Sequence, residues 1–443
     1  MTEPRLALQG RKKFAKYVSL NILAMLGSSC YVVVDTFFVA NGVGADGLAA
    51  LNLAISLFSY MQALGLLIGI GSGTRYGVSM SRGEKEKGSQ VFTTALITAL
   101  SVGMIIFLLG TFFCRQIAQI VGADASILDM TAIYIKTVFS FAPFYMVNHL
   151  LVAFIRNDEN PKLATAALLI SNGCNVVLDY VFIYLCDWSM FGAAFATGLS
   201  PVISIGILSF HFWKKKNRFH PVRIGFSLRV VGDFCRLGVS SMVNELSFGM
   251  VIMIFNFLFL GLGGNTAVAA YGVVANVALF AVAIFTGVAQ GVQPLVSDYY
   301  GRGIISQMKI IRKDTLLTTT ALSLILVTAA FLFSHGIVAL FNQNRDPALQ
   351  AIAEEGLKIY FSGFLFAGVN IAMTGYLSAM EKAEQGFVIS LLRGLLIIGP
   401  AAFILSRILG MTGIWLSVPL TEFLTFAVTV IMIKKTGSKQ NQI

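Results

Sequence analysis

The chain has 443 residues, 56% of them hydrophobic and only 12% charged, with 36 Phe, a formal net charge of +11 and a mean hydropathy of +0.79. Soluble domains are about a quarter charged, so this composition excludes one; apolar runs of about 20 residues recur along the whole length and define an all-α polytopic membrane protein. The basic excess implies no nucleic-acid partner, because it falls in short loops where it sets membrane orientation.

In chain order, the start MTEPRLALQGRKKFAKY is polar and basic, with no small-residue cleavage site after a short apolar core. It reads as a cytoplasmic tail leading into a retained helix rather than a signal peptide. Helix 1 is expected over 17–40, helix 2 over 48–74 and helix 3 over 90–113. In helix 2, Gly65, Gly69, Gly73 and Gly77 recur every fourth residue, a bare stripe suited to close helix packing. Helices 4, 5 and 6 follow over 130–154, 163–186 and 190–213. A long basic loop over 214–236 then separates an N-lobe (1–213) from a C-lobe (237–443). The second set of six lies over 238–260, 267–296, 314–334, 353–378, 386–406 and 411–433.

The loops alternate in charge. Of the 32 Lys and Arg, all but Arg115, Lys136, Arg345, Lys358 and Arg407 fall on the side of the termini. The positive-inside rule makes that side cytoplasmic, with both termini inside as an even number of spans requires. Lys214–Arg218 can also meet anionic lipid, although orientation alone accounts for these charges. The five cysteines are scattered with no CxxC pair, so neither a metal site nor a disulfide framework is indicated.

The halves echo one another. An offset of 220, without gaps, places Gly44 on Gly264, Gly71 on Gly291 and Arg82-Gly83 on Arg302-Gly303; one residue more places Gly173 on Gly394 and Gly192 on Gly413. Six spans per half give both lobes the same orientation, related by a pseudo-twofold along the membrane normal with a cavity between them, which is transporter architecture.

Acids within the membrane are costly and mark functional sites by default. Four lie inside spans: Asp35, Asp179, Glu245 and Glu422. At about 1.5 Å per residue, Asp35 is roughly 9 Å below the outer end of helix 1, Asp179 roughly 10 Å below that of helix 5, and Thr197 of helix 6 at a similar depth. Asn175 lies one turn deeper than Asp179 on the same face. Two carboxylates, an amide and a hydroxyl form an all-oxygen set that suits Na+ as a metal ligand set, or an exchangeable proton, which a close carboxylate pair favours. A structural hydrogen-bonded cluster is the competing reading. In the second half, Glu245 and Arg393 can form a buried ion pair, whereas Glu422 has no evident cationic partner and is the better candidate for a cationic substrate. Gln290, Gln293 and Asn276 of helix 8 are further candidates for lining the cavity. Met380, among 16 Met, suits an adaptable apolar wall, with core packing the default.

Five stretches resemble the multidrug and toxic compound extrusion (MATE) family across essentially the whole chain: VVVDTFFVANGVGADGLAALNLA, GIGSGTRYGVSMSRGEKEKG, FIRNDENPKLATAALLISNGCNVVLDYVFIY, FGAAFATGLS and AVAAYGVVANVALFAVAIFTGVAQGVQPLVSDYYGRG. They are most similar to bacterial branches with an acid in both helix 1 and helix 5. The resemblance implies two six-helix lobes, alternating access, and export of cationic amphipathic compounds against inward H+ or Na+, with no other cofactor. It places Asp35, Asp179, Asn175 and Thr197 at the family's N-lobe coupling site. Glu245 is the nearest match to the helix 7 acid of some branches. Their helix 10 acid has no counterpart, since 360–378 contains none.

A flippase for lipid-linked or metabolite substrates is the alternative, but it favours a cavity rich in Arg and Lys, and Arg393 is the sole intramembrane arginine. Four widely separated histidines and the absence of HExxH argue against an enzyme. GIGSG at 69–73 lies in a membrane helix with no preceding strand, so it is not a phosphate loop. The two-lobed repeat disfavours a channel. The expected partners are small organic cations and the lipid bilayer, with the protein a monomer in the cell inner membrane.

Overall fold

Lipid offers the backbone no hydrogen bonds, so a chain this apolar resolves into helices that satisfy themselves. The computed structural model describes residues 3–223, 226–342 and 345–440, and these are helical almost throughout. Eight runs are long and apolar enough to cross a membrane, and two bent pairs add one span each. Two of the eight are double: Leu228–Gly301 breaks at Gly264 and Ala383–Lys435 at Gly410, both glycines with positive φ. Among the described residues the total is the expected twelve.

Helix 1 is Glu3–Gly42, helix 2 Ala45–Ser81 and helix 3 Lys85–Ile120. Helix 4 joins Leu128–Ser140 to Ala142–Asn157 across a 48° bend, where Pro143 in the second segment lacks the N–H a continuous helix needs. Helix 5 is Pro161–Tyr180 and passes into a π turn at Val181–Leu185; helix 6 is Ser189–Leu208 with a last turn at Phe210–Trp213. Helices 7 and 8 share Leu228–Gly301, and helix 9 is Ile305–Phe341. Helix 10 joins Pro347–Ser362 to Phe364–Ala379 across another 48° bend. Helix 11 runs from Ala383–Leu391 through a π turn at Leu392–Leu396, and on from Ile398 to Gly410; helix 12 completes the chain. Several helices outrun the expected spans. Helix 7 begins at Leu228 rather than 238, because hydropathy marks only the hydrocarbon-spanning part, and the added turns carry Arg229, Asp233 and Arg236.

The backbone carries the repeat more plainly than the side chains do. Gly44 and Gly264 both turn at positive φ (91° and 63°), as do Gly83 and Gly303 (81° and 70°) and Glu159 and Glu381 (63° and 58°). The bends at Phe141 and Gly363 recur at the same spacing. Helix 3 packs on 4, 4 on 6 and 5 on 6 in the first half; 9 on 10, 10 on 12 and 11 on 12 match them in the second.

Packing divides the chain into two units: residues 23–245 with 300–302, and residues 1–22 with 246–299 and 303–443. Large apolar side chains on their outsides, such as Phe112 (68% exposed) and Leu332 (72%), form the surface a bilayer covers. Close contacts through glycine explain why each unit includes a piece of helix from beyond its half of the chain. In the first unit, a Cβ at Gly71 of helix 2 would strike the Phe234 carbonyl of helix 7, and one at Gly238 the Leu67 carbonyl. In the second, a Cβ at Gly291 would meet Tyr17 and Val18 of helix 1, and one at Gly287 would meet Ile22. Gly71 and Gly291 are repeat mates, as are Val18 and Gly238. The four-residue stripe has another partner: Gly65, Gly69 and Gly73 receive His149 and Ala153 of helix 4.

The basic loop is also built in. Phe219 is fully buried among Tyr76, Phe92, Phe154, His211 and Phe212. The Val222 N–H donates to Thr93 Oγ1 at 3.0 Å.

Overpacking at a closely approached glycine costs about 1–3 kcal/mol. Gly71→Ala is therefore expected to lower the Tm of the purified protein by several degrees. Gly206→Ala, where a Cβ meets nothing within 4 Å, is expected to leave Tm unchanged or slightly raised. Thermal unfolding in detergent, followed by tryptophan fluorescence, checks the pair.

Candidate functional site

Helix 1 and helix 5 run side by side in the first unit. The Asn172 Nδ2 group donates to Ser28 Oγ at 3.0 Å, Leu169 fills the space over Gly27, and the Tyr184 hydroxyl donates to the Phe38 carbonyl at 3.2 Å. Both helices run from the basic side outward, so contacts advance together along them. Seven residues beyond Ser28 and Asn172, two helical turns further on, stand Asp35 and Asp179.

Their side chains are in hydrogen-bonding contact, and both residues are buried, Asp179 completely. With its amide turned to satisfy both neighbours, Asn175 donates to Asp179 Oδ2 at 3.2 Å and accepts from the Thr197 N–H at 3.2 Å. The Tyr145 hydroxyl donates to the Thr197 carbonyl at 3.3 Å. All four residues expected at this site are therefore in one place. Three of its oxygens, Asp35 Oδ1, Asp179 Oδ1 and Thr197 Oγ1, are buried without a hydrogen-bond donor. Among the described residues neither aspartate has a Lys, Arg or His partner. Two carboxylates in contact repel unless a proton or cation lies between them, so the site can take up one or the other.

Tyrosines complete the surroundings. Tyr134 of helix 4 lies beside Thr197 and within electrostatic reach of Asp35 and Asp179. It is six residues into helix 4 as the structure bounds it, against four from the expected start. Tyr31, one turn below Asp35, lies within electrostatic reach of Asp35, Asp179 and Glu245. The π turn at Val181–Leu185 begins two residues after Asp179; such turns recur near functional sites.

The second unit corrects two expectations. Arg393 does not pair with Glu245: its Nε donates to Glu422 Oε1 at 2.5 Å. Glu422 therefore has a cationic partner, and its other oxygen accepts from Asn370 Nδ2 at 2.8 Å. Asn370 is fully buried, and its own oxygen accepts from Thr429 at 3.0 Å. The π turn at Leu392–Leu396 sets Arg393 in its first turn, opposite helix 12. Spacing along single helices could not reveal a pairing across helices 10, 11 and 12. The amide within FAGVNIAMT was a visible signal of the same kind as Asn175.

The other cavity candidates scatter. Asn276 is exposed and its amide returns to the Gly272 carbonyl at 2.9 Å. Gln293 is buried and reaches Ser297 Oγ at 3.4 Å, whereas Gln290 and Glu245 are half-buried. Met380 is wholly buried, packing the core rather than walling a cavity.

Asp158, in the connection between helices 4 and 5, is buried. The Tyr76 hydroxyl donates to its Oδ1 at 3.0 Å, His211 Nε2 meets Oδ2 at 2.9 Å, and the Arg218 N–H donates to Oδ2 at 2.9 Å.

Twelve helices in two repeat-related sets, with a carboxylate pair buried in one, define a polytopic carrier fold of the membrane. The chain belongs to the MatE family, whose model matches residues 21–181 and 241–404. It is 26% identical over 417 residues to the multidrug export protein MepA of Staphylococcus aureus, covering 93% of this chain and 91% of that one. The MepA of Staphylococcus saprophyticus is 26% identical over 404 residues, covering 90% and 88%. In fold, the chain is similar over its full length to an outward-facing multidrug resistance MATE transporter, with a TM-score of 0.92 at 20% identity. A Pyrococcus furiosus transporter described as having a binding pocket of reversed polarity matches with a TM-score of 0.91 at 18% identity, over all of this chain and 99% of that one.

Removing one partner of a buried ion pair leaves an uncompensated charge and costs about 3–5 kcal/mol. Arg393→Gln is expected to destabilise the protein by that order, and Arg393→Met with Glu422→Gln to recover most of the loss. Denaturant unfolding of the two variants measures both effects.

Proposed function

We propose that this protein is a secondary active antiporter that exports organic cations in exchange for inward H+ or Na+ by alternating access. One observation carries the reading: Asp35 and Asp179 touch inside the membrane with no cationic side chain beside them and with unpartnered oxygens around them. Unpartnered oxygens beside a buried carboxylate pair are available as ligands for an ion. The relatives' role as multidrug exporters supplies the substrate class. The basic loops support cytoplasmic termini, in a cell whose inner membrane holds the protein as a monomer.

In this mechanism the ion enters from the outside and binds Asp35 and Asp179, with Asn175 and Thr197 contributing oxygens. Binding removes the repulsion between the carboxylates, so helix 1 and helix 5 repack at the contacts made by Asn172, Ser28 and Tyr184. An ion shifts a two-state equilibrium only by its differential affinity for the states; a pair that is together in one state and apart in the other supplies that difference. Bound substrate then leaves outward, and the carrier returns with the ion.

A second reading is export or flipping of an anionic, lipid-linked or metabolite substrate. It draws on Arg393, the intramembrane cation, and on the fold shared with the transporter of reversed pocket polarity. Because Glu422 already neutralises Arg393, antiport of cations is the reading favoured.

Proteoliposomes decide between these readings and between the ions. A fluorescent organic cation is expected to move against an imposed H+ gradient or an imposed Na+ gradient, applied separately. Asp35→Asn and Asp179→Asn are expected to reduce movement to the level of protein-free vesicles while keeping wild-type Tm. Wild-type coupled transport by either variant would overturn the assignment of the site.

A further inference from the structure

The first unit has a second built site at its basic surface, about 310 Å³ in volume, between the start of helix 5 and the end of helix 6. Lys162, Lys214 and Lys216 line it together with His211, Asn160 and Phe210, and no acid does. The loop geometry explains how two lysines of one short run reach the same pocket. The last turn of helix 6 closes through Lys214 N–H to the Phe210 carbonyl and Lys216 N–H to the His211 carbonyl, both at 3.1 Å. Between them Lys215 takes a left-handed conformation (φ 49°), which reverses the chain and brings Lys214 and Lys216 to one side.

The walls of the pocket are fixed from behind. Asn160 caps helix 5 by accepting from the Leu163 N–H at 3.3 Å, and its amide nitrogen meets His211 Nδ1 at 3.3 Å. His211 is held in turn by buried Asp158. Neither acid in the neighbourhood neutralises the lysines: Asp158 is taken by His211, Tyr76 and the Arg218 N–H, and Glu159 pairs with Arg218 at 3.3 Å. Among the described residues none of the three lysines has a carboxylate partner. Trp213, 79% exposed, packs edge-on against half-exposed Phe210 at 5.5 Å beside the pocket. An indole in that position belongs at the headgroup level of a bilayer.

We propose that this pocket binds a phosphate group at the basic membrane surface, supplied either by an anionic phospholipid headgroup or by a soluble phosphate. Three lysines lining one pocket without a carboxylate partner match a phosphate's charge and its acceptor oxygens. Phe210 and Trp213 offer apolar surface where the acyl chains of a lipid would begin. The site shares no residue with the aspartate pair and does not depend on how transport is coupled.

The test uses the full-length protein in zwitterionic detergent-lipid micelles, with binding counted by native mass spectrometry. The probes are phosphatidylglycerol, phosphatidylcholine of the same chains, and inorganic phosphate. Wild type is expected to bind one phosphatidylglycerol or one phosphate in preference to phosphatidylcholine. The variant Lys162→Gln/Lys214→Gln/Lys216→Gln is expected to weaken that binding by about tenfold or more, as loss of charge-assisted contacts requires. A control, Lys12→Gln/Lys13→Gln/Lys16→Gln, removes the same charge elsewhere and is expected to leave it unchanged. Binding of phosphatidylglycerol in preference to inorganic phosphate identifies lipid as the source, binding of inorganic phosphate in preference identifies a soluble phosphate, and equal binding supports a site that reads the phosphate group alone. Equal losses in the two triple variants, or no preference over phosphatidylcholine, would overturn the proposal. Single Lys214→Gln and Lys216→Gln variants keep the test valid should the triple fail to fold.

Discussion

A charge buried away from water must be compensated locally, and this molecule meets that requirement in three ways. Asp158 is saturated by a hydroxyl, an imidazole and a backbone N–H. Glu422 is matched by Arg393 and held by Asn370. Asp35 and Asp179 have only each other, with an amide alongside. The first two solutions are internal and permanent, so they lock helices together. The third leaves buried oxygens without partners, and the proposed coupling site rests on that feature.

The scaffold around the pair follows from what glycine permits. Helix 2 is approached on two sides at once. Gly65, Gly69 and Gly73 admit helix 4, while Gly71 admits the start of helix 7. Its repeat mate Gly291 admits the start of helix 1 in the same manner. Helix 1 therefore belongs to the second unit up to Ile22 and to the first from Leu23 onward. The aspartate sits in the portion that packs on helix 5. One continuous helix thus carries both the aspartate and the glycine contact with helix 8.

Much of the architecture was legible from hydropathy and charge, because the bilayer imposes a length and a sidedness that composition must honour. The depth count brought Asp35, Asp179 and Thr197 to one level, with Asn175 a turn deeper. It failed for Arg393 and Glu422. Depth along a helix says nothing about which face turns toward which neighbour, and the π turn at 392–396 shifts that facing. The burial of Asp158 was illegible in the sequence for a related reason. A charged stretch such as RNDENPK resembles solvated loop until Phe219 and His211, more than 50 residues away, close over it.

The sequence by itself determined the class of solvent, the number of spans, the internal repeat and the helical depth of each membrane acid. These depend on local periodicity and on the fixed thickness of a bilayer. Only the tertiary structure decided the partners: that Asp35 meets Asp179, that Arg393 belongs to Glu422, and that Lys162 joins Lys214 and Lys216 around one pocket. Those pairings depend on rotation and close approach between helices. They are set by glycine contacts, bends and π turns whose consequences appear only when the chain is packed.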